Sequence, residues 1–342
     1  MLMNNKMKKL LEKIICNSSK LHTRVSRKLP LPPRPSFQIS PLYIILPYFN
    51  YCKYKSRTKL FLDFVKRVYH KTLIRIVIIE GTPKGEPFDL PDFSSTRVFL
   101  HIKVELNNRV WIKENLINLA IRNLPNDWNY VAWVDADLTF VNESWIQDTI
   151  QLLKEYDVVQ MFDSAINLGP NGETLKIEKG FVYQYINSGQ EYQKGSKYSV
   201  WHPGYAWACH RKAYEQMGGL IDFGILGSGD RHMALAWINK AELSHPGNIH
   251  IDYMLKLKEF QDRCKDIKIN YVPGSVLHHF HGSIKDRRYQ ERWLILTKHQ
   301  YSPIKDILYT KDGILHLTES GKRLQPPIDD YFIGRNEDGM KA

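Results

Sequence analysis

The 342-residue chain is poor in cysteine and has no long apolar run. Its four cysteines, Cys16, Cys52, Cys209 and Cys264, lie far apart without a CxxC pair. That spacing argues against a disulfide scaffold or a cysteine-built zinc site and makes a reducing compartment the default. The longest apolar stretches, such as Tyr43–Leu46 and Val131–Val134, are far short of the roughly 20 residues a membrane helix needs. An HExxH pair and internal repeats are also missing, which removes the helix-borne zinc hydrolases and the solenoids. With 43% hydrophobic and 25% charged residues, the composition excludes disordered, collagen-like and mucin-like chains. The expectation is a soluble, cytoplasmic protein with no transmembrane span.

Acidic residues are scarce at the amino end. Residues 1–38 hold nine bases and a single acid, Glu12, and so carry eight of the twelve net positive charges. The basic excess is therefore mainly a tail property. Lysines interleave with apolar residues over Met7–Cys16, which does not fit a secretory signal. The segment Lys8–Ile15 reads as a solvated leader or a short amphipathic helix able to touch a membrane surface, and Pro30–Pro35 reads as an extended linker. Beyond the tail no basic-aromatic pattern suggests nucleic acid. Three parts are expected: a leader and linker over 1–39, a catalytic domain over 40–300 and an extension over 301–342.

From residue 40 the chain alternates strand and helix. Apolar runs at Tyr43–Leu46, Arg75–Ile79, Val98–Val104 and Asn129–Val134 read as strands, and Thr58–His70, Val110–Asn123 and Glu143–Tyr156 have helical spacing. This order implies right-handed βαβ crossovers and a mostly parallel sheet covered on both faces. Ligands of such sheets bind outside the carboxyl ends of the strands.

Three clusters of chemistry follow. Asp135 and Asp137 come directly after the apolar strand Val131–Val134. If the strand continued, both carboxylates would share a face, and two crowded acids call for a cation such as Mg²⁺ or Mn²⁺. Next, Gly218–Asp230 places five glycines within twelve residues before a helix at Arg231–Asn239. The acid at its mouth, Asp230, is favoured as a base over Asp222, although an acid there also serves as a helix cap. Third, His278, His279 and His281 crowd together ahead of Lys285, Arg287 and Arg288. Strand alternation would put His279 and His281 on one face, where an imidazole could reach a metal.

Taken together, these clusters resemble the GT-A family of nucleotide-sugar glycosyltransferases over roughly residues 40–295. The resemblance implies a GT-A α/β fold and a Mn²⁺-dependent (or Mg²⁺-dependent) hexosyltransferase. Its donor would be a nucleoside-diphosphate sugar of the UDP-sugar kind, and its acceptor a glycan, protein or lipid hydroxyl. Asp135 and Asp137 match the family's DxD, which binds metal and donor diphosphate. Gly227–Asp230 looks like its glycine-rich acidic loop, with Gly229 standing where many members have Glu. His279, Gly282 and Lys285 fit HxxGxxK, in which His ligates metal and Lys meets the diphosphate; an HxH variant uses His279 with His281. Pro47 and Asn50 fall in the segment that meets the base, and Lys113 and Asn118 where relatives touch base or ribose. Trp201, Tyr205 and Trp207 are candidates to stack on a sugar or to fill the core. Two alternatives use the same acids: a nucleotide- or carbohydrate-binding module on this fold, and a metal-dependent nucleotidyltransferase.

Deleting residues 1–38 is expected to leave a folded protein, because Pro30–Pro35 breaks helical continuity and few apolar residues precede it. A collapsed melting transition in the truncated chain would show instead that the leader packs on the core.

Overall fold

The computed structural model describes residues 40–93, 98–189 and 201–339. The basic leader and its proline linker lie outside the described residues. In chain order the elements are β1 (Leu42–Phe49), α1 (Lys55–Val68), β2 (Ile74–Pro83), β3 (Val98–Leu106), α2 (Lys113–Arg122), β4 (Tyr130–Val134), β5 (Leu138–Phe140) and α3 (Trp145–Leu152). The middle of the chain adds β6 (Val158–Gln160), β7 (Ser164–Leu168), β8 (Thr174–Lys179), α4 (Phe181–Asn187), β9 (Ala206–His210), α5 (Arg211–Met217), α6 (Gly229–Trp237) and α7 (Ile251–Arg263). The last part contributes β10 (Ile269–Tyr271), β11 (Ser275–His278), α8 (Glu291–Lys298), β12 (Ile307–Tyr309), β13 (Leu315–Leu317) and α9 (Gln325–Gly334).

The fold is α/β, with a large, mostly parallel central sheet. Seven strands run in the order β10-β6-β9-β4-β1-β2-β3, and only β9 is antiparallel to its neighbours. β1 shows why the sheet is covered on both faces. Leu42, Ile44, Leu46 and Tyr48 point into one core with α1 and α3, whereas Tyr43, Ile45 and Phe49 point into the other with α2, α6 and α7. This is the two-residue alternation of a strand buried on both sides. A smaller sheet, β5-β11-β7-β8, sits beyond the end of β4.

Two features of β1 position the site. Its pairing with β4 stops at Ile45, while its pairing with β2 runs on to Phe49. Pro47, which has no N–H to donate, therefore falls where β1 has lost its neighbour on one side. Past that point β1 and β4 part, and the crevice between them opens outside the carboxyl ends of the strands, where the order reverses.

The segment expected as an extension folds back over this crevice. Leu324, Ile328, Tyr331 and Phe332 join the core beside α2. Asp338 accepts hydrogen bonds from the backbone N–H groups of Lys55 (2.9 Å) and Ser56 (2.8 Å). It thus supplies from far along the chain the cap that Tyr54 does not give α1. Gly282, at φ 86°, lies so close to this segment that a Cβ would meet the Asn336 carbonyl at 2.9 Å. Among the described residues no helix is long and apolar enough to cross a membrane.

Candidate active site

The crevice holds a cavity of about 210 Å³. Its wall carries Asp135, Asp137 and Asp230, joined by Lys113, His202, His278, His281 and an arginine group comprising Arg57, Arg231, Arg287, Arg292 and Arg335. Leaving histidines aside, six bases face four acids there, the fourth acid being Glu337. A cavity with a cationic surplus and two adjacent aspartates is suited to an anionic ligand that brings its own cation.

Lys113 ties one half of the wall together. α2 is buried from Lys113 through Ile121, so its first lysine must find partners inside the protein. The ammonium lies 2.7 Å from Asp135 Oδ1 and 3.1 Å from Asp230 Oδ2. Burial alone would lower its pKa, but the charges of Asp135, Asp230 and Glu114 outweigh this and push it up. Asp135, desolvated and beside Asp137, is raised to about 6 even with Lys113 in contact. The other oxygen of Asp230, Oδ1, is buried and has no hydrogen-bond partner.

The second half gathers Asp137, His278 and His281, whose ligand atoms all lie within 4.8 Å of one another. Asn167 Oδ1 accepts from Tyr205 Oη (2.7 Å) and faces His278 Nδ1 at 2.9 Å. A carbonyl oxygen only accepts, so the proton of His278 is on Nδ1 and its Nε2 is bare. That Nε2 has no hydrogen-bond partner and looks at Asp137 Oδ2 across 3.6 Å. In His281 the guanidinium of Arg287 points at Nε2 from 2.9 Å, and a guanidinium only donates. The same Nε2 also lies 2.8 Å from Asp137 Oδ2. A nitrogen that accepts from Arg287 and also abuts a carboxylate oxygen is relieved by a cation placed between the two. The residues fit a divalent metal on that ground, together with the orphaned Asp137 Oδ1.

Partners outside the ligand set hold the two rings in place. His278 is stacked on Tyr205 at 4.7 Å, and Tyr205 on His202 at 3.9 Å. Tyr205 is kept at φ 80°, an uncommon backbone for an aromatic residue. Glu337 Oε2 faces His281 Nδ1 at 3.8 Å while binding Arg57 and Arg335.

The structure brings together only part of the residues expected from sequence. Asp135, Asp137, Asp230, His281, Lys113 and Pro47 line the cavity. His279 does not; its Nε2 bonds Thr139 Oγ1 at 2.8 Å. β11 ends at His278, so strand alternation stops one residue too soon for His279 to join His281. Lys285 is exposed and outside the wall, and Arg287, two residues on, occupies it instead. Asp222 is also elsewhere, accepting from Tyr309 Oη (2.6 Å) and Asn115 Nδ2 (2.9 Å). Asn118 is a structural pivot that bonds the backbone of Leu220 through both side-chain atoms. Asn50 closes its own turn onto Tyr54. Trp207 is wholly buried, and of the three candidate stacking rings only Tyr205 reaches the cavity. Sequence reasoning missed the inward position of His278 beside Asp137, and with it Asn167, Arg57, Arg292, Arg335 and Glu337. For His278 the HH pair was in view; for the others no local pattern marks them.

One buried acid near the cavity is free of this network's arginines. Glu114 receives a hydrogen bond from Trp111 Nε1 (3.1 Å), and its Oε1 occupies the space a Cβ on Gly229 would take, 2.5 Å away. A side chain at 229 would require Glu114 to move. Desolvation, opposed by Lys113 and reinforced by Asp230, raises Glu114 from 4.5 to about 8.

No family model matches the sequence, and no curated protein matches it significantly. The chain is similar to a mannosyltransferase from Pyrobaculum calidifontis in complex with GDP-Man and Mn²⁺ (TM-score 0.43, 12% identity, covering 94% of this chain and 77% of that one). It is also similar to the catalytic domain of Drosophila β1,4-galactosyltransferase 7 complexed with xylobiose (TM-score 0.38, 12% identity, 85% and 99% covered). A third is GalNAc-T7 with UDP, GalNAc and Mn²⁺ (TM-score 0.42, 12% identity, 87% and 57% covered). These neighbours are GT-A-type nucleotide-sugar glycosyltransferases. At such identities and TM-scores the likeness decides nothing about donor, acceptor or chemistry, which rest on the side chains.

Because Glu114 takes up a proton on folding between pH 4.5 and about 8, its burial weakens the fold as pH rises through that window and not below it. Glu114→Gln is expected to decline less in urea midpoint than the parent from about pH 5 to pH 8.5, the two agreeing at the acid end. Equal declines would mean that Glu114 is ionised in the folded protein.

Proposed function

We propose that this chain is a metal-dependent glycosyltransferase, moving a hexose from a nucleoside-diphosphate sugar of the UDP-sugar kind to an acceptor hydroxyl. The observation that carries the reading is the gathering of the His278 and His281 imidazoles on Asp137 in the same cavity as the Asp135–Lys113–Asp230 bridge. A mixed set of two imidazoles and a carboxylate favours Mn²⁺ over Mg²⁺, which prefers oxygen ligands alone.

Asp137, His278 and His281 would hold the ion. When bound, it neutralises the charge that develops on a leaving nucleoside diphosphate. Arg287, beside His281, adds a guanidinium on that side of the cavity, the part expected of Lys285. Asp230 has one oxygen anchored by Lys113 and the other unpartnered. Such a carboxylate is oriented at one atom and available at the other to take the proton of an acceptor hydroxyl. Lys113 also offsets the charge of Asp135, keeping the two acids compatible in a cavity whose wall includes Tyr48, Phe49, Trp111 and Tyr205.

The donor is tested with a panel of nucleotide sugars and Mn²⁺. Release of free nucleoside diphosphate together with sugar transfer is expected, and release of pyrophosphate would identify a nucleotidyltransferase instead. Binding of Mn²⁺–UDP with no turnover on any donor would point to a binding module.

The metal ligands are separable in one experiment. In a Mn²⁺ titration followed by the electron-spin signal of the free ion, Asp137→Ala and His278→Ala should each weaken binding at least tenfold, whereas His279→Ala should leave it within about twofold. The reverse order for the two histidines would return the ligand role to His279.

Asp230→Asn should lower turnover by about 10²–10⁴-fold with Mn²⁺–UDP affinity and melting temperature near those of the parent. Asp222→Asn, remote from the cavity, should be milder. Full activity in both variants would remove the aspartate base and favour a mechanism that retains the anomeric configuration.

A further inference from the structure

Arg292, on α8, is a cavity arginine whose side-chain hydrogen bond goes to a neutral hydroxyl. It is 8% exposed, its terminal nitrogen donates to Ser228 Oγ at 2.7 Å, and its guanidinium sits 4.9 Å from the centre of the Tyr289 ring. Its Nε–H is buried without a partner. Arg57 and Arg335 share Glu337, but among the described residues no carboxylate forms an ion pair with Arg292. A buried guanidinium resting on one neutral hydroxyl is costly unless an anion joins it.

The hydroxyl it holds belongs to the residue that begins α6. Ser228 is the cap residue at φ 78°, and its side chain does not cap the nine-residue helix. The amino end of α6 therefore adds backbone N–H groups and the positive end of its dipole to the same corner of the cavity. We infer that Arg292, Ser228 and the amino end of α6 form a second anion subsite, one that receives a phosphate or carboxylate carried by the acceptor.

The assignment to the acceptor rests on the nucleotide-sugar reading and on order around the wall. Arg287 points at His281 and donates to Tyr289 Oη (3.3 Å), while Arg292 lies over the same tyrosine ring and reaches Ser228. Tyr289 thus separates a guanidinium beside the metal ligands from one beside the helix that bears Asp230. The donor's diphosphate belongs with the first. The group that meets Asp230 is the acceptor, and the acid on it would answer Arg292.

The test uses the full chain saturated with Mn²⁺–UDP and titrated with sulfate, a tetrahedral surrogate for phosphate, and separately with acetate. The loaded wild type should bind one of the two, and Arg292→Gln should weaken that binding at least tenfold while changing UDP affinity less than twofold. Preference for sulfate or acetate tells a phosphate-bearing acceptor from a carboxylate-bearing one. Arg292→Lys, which keeps the charge, should retain an intermediate affinity and stands in if the glutamine variant does not fold. The inference is overturned if the loaded protein binds neither anion, or if either variant costs UDP as much as it costs the added anion. Should Mn²⁺–UDP itself fail to bind, the nucleotide-sugar reading falls at that first step. The sulfate titration is then made without nucleotide, and an affinity independent of Arg292 still overturns the subsite.

Discussion

A single ammonium group at the start of α2 makes the arrangement of acids in this protein tolerable. Asp135 closes β4 and Asp230 opens α6, so the sheet and the helix layer each bring a carboxylate to the same crevice. Without Lys113 between them they would repel across a partly closed space. Its placement requires α2 to be buried along its length, which in turn depends on the cores on either side of β1. The ion bridge leaves one carboxylate outside it, Asp137, and that is the one the imidazoles surround. The crevice is thereby divided into a half built around the Lys113 bridge and a half built around Asp137, His278 and His281.

The same division reaches the glycine loop. The Glu114 carboxyl fills the space beside Gly229, so an acid contributed by α2 lies against the loop where the resemblance led one to look for an acid in the loop itself. Carboxyl groups reach the neighbourhood from three separate elements, and the backbone of the loop adapts to them.

Much of the fold could be read from the chain. The four apolar runs became β1 to β4, of which β1, β2 and β4 are buried on both faces while β3 is a half-exposed edge strand, and the helices between them followed from spacing alone. Asp135, Asp137 and Asp230 were equally visible, since each follows directly from the end of a strand or the start of a helix. His279 was misplaced because alternation was extended past the last residue of β11; the chain turns there, and His278 takes the inward position. Arg335 and Glu337 could not have been found locally. Glu337's partners Arg57 and His281 are separated from it by many residues, and contact over such separations depends on how α9 packs, which no short motif encodes. β9, the reversed strand, was equally silent: its apolar run does not disclose its direction.

The return of residues 335–338 to the first helix has a consequence for biosynthesis. The ribosome releases β1, α1 and the acids of the central sheet long before it releases Glu337, which neutralises Arg57, and Asp338, which caps α1. Until those residues emerge, Arg57 lacks its carboxylate and His281 lacks the acid facing Nδ1. The sheet can therefore form during translation, but the cavity reaches its final charge only after residue 337 has been made. A nascent chain stalled short of residue 337 would hold a folded core around an unfinished site.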